Sequence, residues 1–350
     1  MKNFSVHAAV PMRNIGPVKI IGPVLQEEIL VPLATFETPL WPSTNRGATI
    51  SRLTAGIRSI VIADKMTRSV LVEGPNSQYI LDVVTTLESH RQELAQVVSA
   101  TSAFAKLQDW HVQIAGNLLY IRFEMTTGDA SGHNMTTKAS DALLEWILKH
   151  YSQLQYVSIS GNFCTDKKVS AVNGILGRGK YVIAEITIPR PICERYLKTT
   201  PEKIVNLNIK KNLIGSILAG GVRSANAHFA NMLLAFYLAT GQDAANIIEG
   251  SQGIVHTEVR DQELYFSVTL PNVIVGTIGN GKDLPFAREN LALLGCLNQK
   301  EPGQNTIRLA CIVGATVLCG ELSLLAAQTN QGELMHSHLQ LERSNLSQAE

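Results

Sequence analysis

One stretch limits the architecture more than any other: Leu309–Gly320, LACIVGATVLCG, apolar throughout and rich in small side chains. It lies inside a longer helical pattern, GQNTIRLACIVGATVLCGELSLLAAQ. A helix that is apolar on all sides must be surrounded by other elements, and small side chains let those elements come close. The run falls short of the ~20 residues that cross a bilayer, and Glu321 follows it at once. A core helix is expected, not a membrane span. The N-terminal MKNFSVHAAVPMRNIG lacks the long apolar run of a signal peptide. The expectation is a soluble, cytoplasmic protein that uses no membrane.

Hydrophobic residues make up 45% of the 350, enough for a large core or two domains. Lys plus Arg number 30 and Asp plus Glu 29, a balance that exerts no general pull on nucleic acid or anionic lipid. Only 17% are charged, a hint that some surface is covered between subunits. The five cysteines, Cys164, Cys193, Cys296, Cys311 and Cys319, are scattered and form no C-x-x-C pair. They fit neither a disulfide framework nor a zinc site, and a reducing compartment is the simplest setting.

Along the chain, residues up to about 35 read as short extended pieces. PLATFETPLWPSTNRG reads as a Pro-punctuated loop ending on Arg46, and RSIVIADKMTRSVLVEG as two strands around a charged turn. From about 70 the pattern becomes helix, hairpin, helix and strand. SQYILDVVTTLESHRQELAQVVSA has helical periodicity, and HVQIAGNLLYIRFEM turns at Gly116-Asn117. GDASGHNMTTKASDALLEWILKHY runs from a Gly-bearing loop into a helix, and LQYVSIS is a strand. That makes a compact α+β unit inserted in the chain. After Ser160 come the strand KYVIAEITIP, two helices rich in small residues, an extended Gly-rich segment and the long apolar helix. The polar tail after about 330 reads as mobile.

Several residues carry two readings. Asp166-Lys167-Lys168 is a solvated turn, or Lys167 is a cation aimed at a developing oxyanion. Glu37, in PLATFETPL, points outward from a loop, or is a desolvated carboxyl able to donate a proton. Asp243, in ATGQDAAN, caps a helix by default. His228 and Asn231 share a helix face and read first as a satisfied core pair. His336 and His338 could bind metal, but no third ligand has matching spacing; a single His can also protonate a leaving group. GDASGHNM offers helix N-terminal N–H groups to a phosphate but is no G-x-G-x-x-G.

Taken in order, PLATFETPLWPSTNRG, ADKMTR, GDASGHNM, SGNFCTDKK, GRGK, KKNLIGS, NAHFANMLLAFYLATGQDAAN, GTIGNG and GELSLLAAQ with a following SH resemble the 3-hydroxy-3-methylglutaryl-CoA (HMG-CoA) reductase family. The resemblance is to its class I type, soluble catalytic portion, over about residues 12 to 344. It implies an α+β fold: a large acyl-CoA-binding domain (1–69 and 158–330) with an inserted small ferredoxin-like dinucleotide-binding domain (70–157). A mobile tail (331–350) would carry the catalytic histidine. The implied catalytic residues are Glu37, Lys167, Asp243 and His338, so His336 is not the expected histidine. Substrate contacts by resemblance are Arg68, Ser160, Asp166, Lys168, Lys211 and Asn231. The CoA contacts are Ser43, Asn45, Arg46 and Lys198. The dinucleotide contacts are Asp129, Ala130, Ser131, Gly132, His133 and Asn134. No metal is implied. Partners are HMG-CoA and further copies of the chain, a homodimer or homotetramer with active sites between subunits.

The implied reaction is the four-electron reduction of HMG-CoA to mevalonate in isoprenoid biosynthesis. Lys167 would hold the carbonyl oxygen, Glu37 would supply its proton and Asp243 would tune both, while His338 would protonate the departing CoA thiolate. The alternatives are a homologue that binds acyl-CoA without turnover, or a reductase of a related acyl-CoA. Ala103 stands where the family has an Arg for the 2′-phosphate of NADPH, with Lys106 nearby as a substitute, so NADPH is expected and NADH is the other candidate. Thr49 replaces a basic residue near the CoA site, and Arg343-Ser344 resembles the eukaryotic phosphorylation position.

Overall fold

The computed structural model describes residues 8–299, 301–333 and 335. Its strands are β1 (Met12–Ile21), β2 (Glu27–Ala34), β3 (Ile57–Glu73), β4 (Lys106–Ala115), β5 (Leu118–Thr126), β6 (Gln155–Ser158), β7 (Gly179–Ile188), β8 (Ser224–Ala225), β9 (Gly253–Arg260) and β10 (Glu263–Val273). The large sheet has the order β2-β1-β3-β7-β10-β9-β8. Its β1/β3 and β8/β9 pairs are parallel and the rest antiparallel.

β3 belongs to two sheets. Its first half pairs with β7, from Arg58↔Glu185 to Lys65↔Gly179. Its second half pairs with β5, from Met66↔Met125 to Glu73↔Leu118, and with β6 on the other side. The smaller sheet therefore runs β4-β5-β3-β6 and is antiparallel throughout. The expected charged turn within RSIVIADKMTRSVLVEG does not exist. Asp64 and Lys65 stay in the strand because each finds a partner across it: Asp64 meets Lys180 at 3.1 Å and Lys65 meets Glu124 at 2.8 Å.

Helices α2 (Ser77–Leu87), α3 (Arg91–Thr101) and α4 (His133–His150) accompany the smaller sheet. Its chain order is strand, helices, two strands, helix, strand, with the hairpin turning at Gly116-Asn117 as expected. The unit has its own core, including Val70, Ile80, Leu94, Ile121, Phe123 and Leu143. The larger core gathers Val182, Phe229, Phe266 and the long C-terminal helix.

That helix, Gln304–Gln328, has the mean hydropathy and length of a membrane span, contrary to the expectation drawn from its apolar stretch. Yet 94% of its apolar window is buried inside the fold. Arg308–Ser323 are buried without a break. Small residues make this close packing feasible: a Cβ on Gly47 would lie 2.2 Å from the Cys319 carbonyl oxygen.

The segment expected as a Pro-rich loop is instead helix α1 (Leu40–Leu53). Pro39 precedes it and Pro42 falls in its first turn, where a missing N–H is tolerated. The Trp41 indole donates to the Leu33 carbonyl at 2.9 Å and pins α1 to β2. Strand β9 has no counterpart in the sequence reading. The NAHFANML helix begins only at Phe229, after a short strand. The five cysteines are free and buried.

Candidate active site

The Gly161–Ser170 loop follows β6 and turns through left-handed backbone at Asn162, Thr165 and Lys167 (φ 59°, 51° and 55°). Lys167 Nζ lies 2.7 Å from Asp243 Oδ2. The hydrogen bond that Lys167 donates to Asp243 is the main reason that Lys167 holds its proton more tightly than a free lysine, against the opposing pull of burial. Burial pushes Asp243 the other way, but the Lys167 hydrogen bond and the Ala245 N–H outweigh it and hold the carboxyl below its ordinary range. Asp243 also accepts from Ala245 N–H at 3.1 Å, so it caps the following turn while it pairs with Lys167. Asp166 turns away from solvent toward Arg178 (3.0 Å) and Arg68 (3.8 Å). Lys168 is exposed, and its Nζ donates to the Asp166 carbonyl at 3.1 Å.

Arg68, Asp166, Lys167 and Asp243 line a cavity of about 560 Å³ together with Ala130–Asn134, Ile278–Asn280 and Lys282. The N-terminus of α4 opens here behind Gly132 (φ 96°), and no side chain caps it. The GTIGNG backbone comes so close that a Cβ on Gly276 would meet Ser131 N at 2.5 Å. Asp129 departs from expectation. Its carboxylate accepts from Thr306 N–H at 3.2 Å and ties the loop to the long helix instead of lining the cavity. His133 is held neutral, with its pKa pushed down to about 4. Burial is the largest cause, then the Arg178 charge; Asp166 opposes them.

A second cavity, about 440 Å³, is lined by Glu37, Ser43, Arg46, His228 and Asn231, with Ser323, Gln328 and Glu333 from the end of the long helix and beyond. Asn231 Nδ2 donates to Glu37 Oε2 at 2.9 Å. Glu37 is exposed, not desolvated: the apolar residues around it in sequence turn into β2 and α1 and leave the carboxyl at the rim. Arg46 donates to Ser323 Oγ and pairs with Glu333, each at 2.9 Å. His228 is no simple core pair with Asn231. Its backbone N–H, with that of Ala227, donates to the buried carboxylate of Glu321 (2.6 and 2.9 Å).

Besides Asp129, five expected residues line neither cavity: Lys168, Asn45, Lys198, Ser160 and Lys211. Asn45 Oδ1 accepts from Gly16 N–H at 3.0 Å, and the Lys198 carbonyl accepts from Asn330. Ser160 Oγ lies 3.7 Å from Cys164 Sγ. Lys211 is half-buried near Glu321, and burial lowers its pKa. Within one chain, Glu37 and Lys167 line different cavities. His336, His338 and Ser344 lie outside the described residues.

A profile of the family described as hydroxymethylglutaryl-coenzyme A reductase matches residues 2–343. This chain belongs to that family. It is 44% identical over 339 residues to the 3-hydroxy-3-methylglutaryl-coenzyme A reductase of Aeropyrum pernix, covering 96% of this chain and 80% of that one. It is 46% identical over 321 residues to the enzyme of the same name from Pyrococcus horikoshii, covering 91% and 78%. The fold is similar to the class II 3-hydroxy-3-methylglutaryl-CoA reductase from Streptococcus pneumoniae bound to NADPH, with a TM-score of 0.74 at 21% identity over 94% of this chain and 88% of that one.

The hydroxymethylglutaryl-coenzyme A reductase motifs thus converge on two cavities, and they left out the residues behind them. Arg178 and Glu249 are fully buried and form an ion pair of 2.7 Å at the base of the Asp166–Lys167 turn. Asn246 donates to Glu249 at 3.1 Å and touches His133. Lys282, on the wall facing Lys167, loses proton affinity through burial. Arg178 lies within GRGK and Lys282 within GTIGNGK, so both were adjacent to a quoted motif. Glu249 carried no signal beyond being acidic in an apolar run.

Proposed function

We propose that this chain reduces HMG-CoA to mevalonate and free CoA, using two equivalents of reduced nicotinamide cofactor, NADPH or NADH. The observation that carries this is Lys167 Nζ at 2.7 Å from Asp243 on the wall of a cavity shared with the Ala130–Asn134 loop. That cavity suits a dinucleotide. The uncapped N-terminus of α4 presents N–H groups suited to a phosphate, Arg68 and Lys282 add positive charge, and buried Arg68 Nε has no partner. The bound cofactor supplies hydride. Lys167 stays protonated and stabilises negative charge gathering on a thioester or aldehyde oxygen, an interaction strengthened where water is excluded. Asp243 keeps Lys167 charged and aimed. Glu37 supplies a proton to that oxygen, with Asn231 fixing its carboxyl.

The Glu37 cavity takes the acyl-CoA, with Ser43 and Arg46 facing its CoA part and Asp166, Lys168, Lys211 and Ser160 completing the substrate end. Glu333 lines this cavity just before the segment that carries His338, so the tail leaves from the place where the CoA thiolate needs a proton. Ala103 and Lys106 are both exposed and free to face a ribose phosphate.

The 70–157 unit serves as the dinucleotide-binding domain. Its strand–helix–strand–strand–helix–strand order and its β4-β5-β3-β6 sheet support a ferredoxin-like reading. The remainder forms the acyl-CoA-binding domain. Because Glu37 and Lys167 line separate cavities, a complete site forms between subunits of a homodimer or homotetramer. Exposed apolar side chains such as Ile175, Ile217 and Leu218 support such an assembly. The enzyme works in the cytoplasm.

The test is loss of reduced-nicotinamide absorbance when HMG-CoA is added, with mevalonate identified as product. Lys167→Ala should reduce the rate by about a hundred- to a thousandfold, the scale of removing an oxyanion-stabilising donor. Retained turnover would reject the role.

A further inference from the structure

Lys167 holds an uncommon left-handed conformation (φ 55°) two residues after another, Thr165. Such backbone persists only where the surroundings over-determine it. Here they do. Lys167 N–H donates to Glu249 Oε1 at 3.2 Å. The same oxygen receives Arg178 Nη1 at 2.7 Å and Asn246 Nδ2 at 3.1 Å. Arg178 then reaches Asp166 Oδ1 at 3.0 Å with its other terminal nitrogen and Thr67 Oγ1 with Nε at 3.2 Å. Gln252 pins the far end of the loop, donating to the Ser170 carbonyl at 2.8 Å. Glu249 and Arg178 are both fully buried, and neither lines the cavity.

We propose that the buried Glu249–Arg178 pair is a positioning device for the reaction: Glu249 holds the main chain of Lys167 while Arg178 holds the side chain of Asp166. Together they fix the turn that aims the Lys167 ammonium at Asp243. Two consecutive loop residues are gripped by the two halves of one ion pair, so the pair cannot shift without moving both. A burial of two full charges is expensive by itself and is offset only where good geometry satisfies the remaining donors. The Lys167 N–H and Asn246 supply partners to Glu249 Oε1 and Thr67 to Arg178 Nε, while Arg178 Nη2 meets Asp166 as an ion pair without a hydrogen bond and Glu249 Oε2 has no hydrogen-bond partner among the described residues.

The inference rests on the function proposed above, and one experiment separates the two. Wild-type turnover of HMG-CoA tests the function; only the ratio of variant to wild type tests the positioning role. In Glu249→Gln the acceptor for Lys167 N–H is kept and the charge facing Arg178 is lost. The double variant Glu249→Gln/Arg178→Met removes both charges, so no buried ion is left alone, and it serves where the single variant does not fold. With active sites counted by CoA-ligand binding, kcat is expected to fall about a hundredfold in either variant, the cost of an ångström-scale misplacement. KM for the acyl-CoA should change much less than kcat, because Ser43 and Arg46 in the Glu37 cavity are untouched and only Asp166 at the substrate end is shifted.

The pH profile supplies a readout that a merely structural role would not move. Lys167 faces the anions Asp243, Asp166 and Glu249 and, around the same cavity, the cations Lys282, Arg68 and, when protonated, His133. Removing the Glu249 charge should bring the basic limb of kcat to lower pH. Folded variants with kcat within about threefold of wild type and an unmoved profile would overturn the proposal, whatever their melting temperature.

Discussion

A lysine that meets an aspartate at 2.7 Å holds its proton more tightly than a free lysine, and this suits Lys167 to stabilising an anion and not to abstracting a proton. His133, in the same cavity, is the opposite case. Its pKa is pushed down to about 4, so the folded chain resists a proton that the unfolded chain accepts near 6.5. The sign follows directly. As pH falls from about 6.5 toward 4 the unfolded state binds more protons, and stability is lost, by at most about 3 kcal/mol. His133→Gln should flatten that decline. Denaturant titrations of both proteins between those pH values check it; parallel curves would mean that His133 is not held neutral. The lysine, the aspartate and the histidine were all legible in the sequence because each lies in a distinctive motif. Their support was not. Glu249 and Arg178 are 71 positions apart, and nothing local distinguishes a buried pair from two surface charges.

Element by element, reading was reliable where periodicity is local. The hairpin at Gly116-Asn117, α4 and the long apolar helix carry their own pattern. It failed where distant partners decide. Asp64 and Lys65 suggested a turn because Lys180 and Glu124 are invisible from their position. The prolines at 39 and 42 suggested a loop because composition does not say that they fall in a first turn. Helix α1 carries Ser43 and Arg46, proposed to face CoA, and its depth is set by Gly47 against Cys319. Gly47→Ala forces α1 away from the long helix. The expected cost is about 1–3 kcal/mol, the usual price of overpacking, with weaker CoA binding at unchanged dinucleotide affinity. A denaturation midpoint and two binding titrations check it. Equal loss at both sites would show general unfolding instead.

At the scale of the whole molecule, one strand, β3, joins the two units, and the cavities lie apart on either side of the chemistry that the motifs imply. Glu37 and Asn231, proposed to meet the acyl-CoA, line one cavity, and Ala130–Asn134, proposed to meet the dinucleotide, line the other with Lys167. Residue spacing alone does not show that these groups are divided within a chain; only the family resemblance implied active sites between subunits. Under the composite-site proposal activity requires oligomerisation: sedimentation should give a dimer or tetramer, and dilution to monomers should abolish turnover while leaving each fold intact.

The most direct test of the composite site mixes two inactive chains, Glu37→Gln and Lys167→Ala, by refolding or co-expression. If Lys167 of one subunit works with Glu37 of its partner, each hybrid dimer has one intact site, and random pairing restores about a quarter of wild-type activity. If both residues act within a single chain, every site in the mixture is defective, and activity stays at the level of the separate variants.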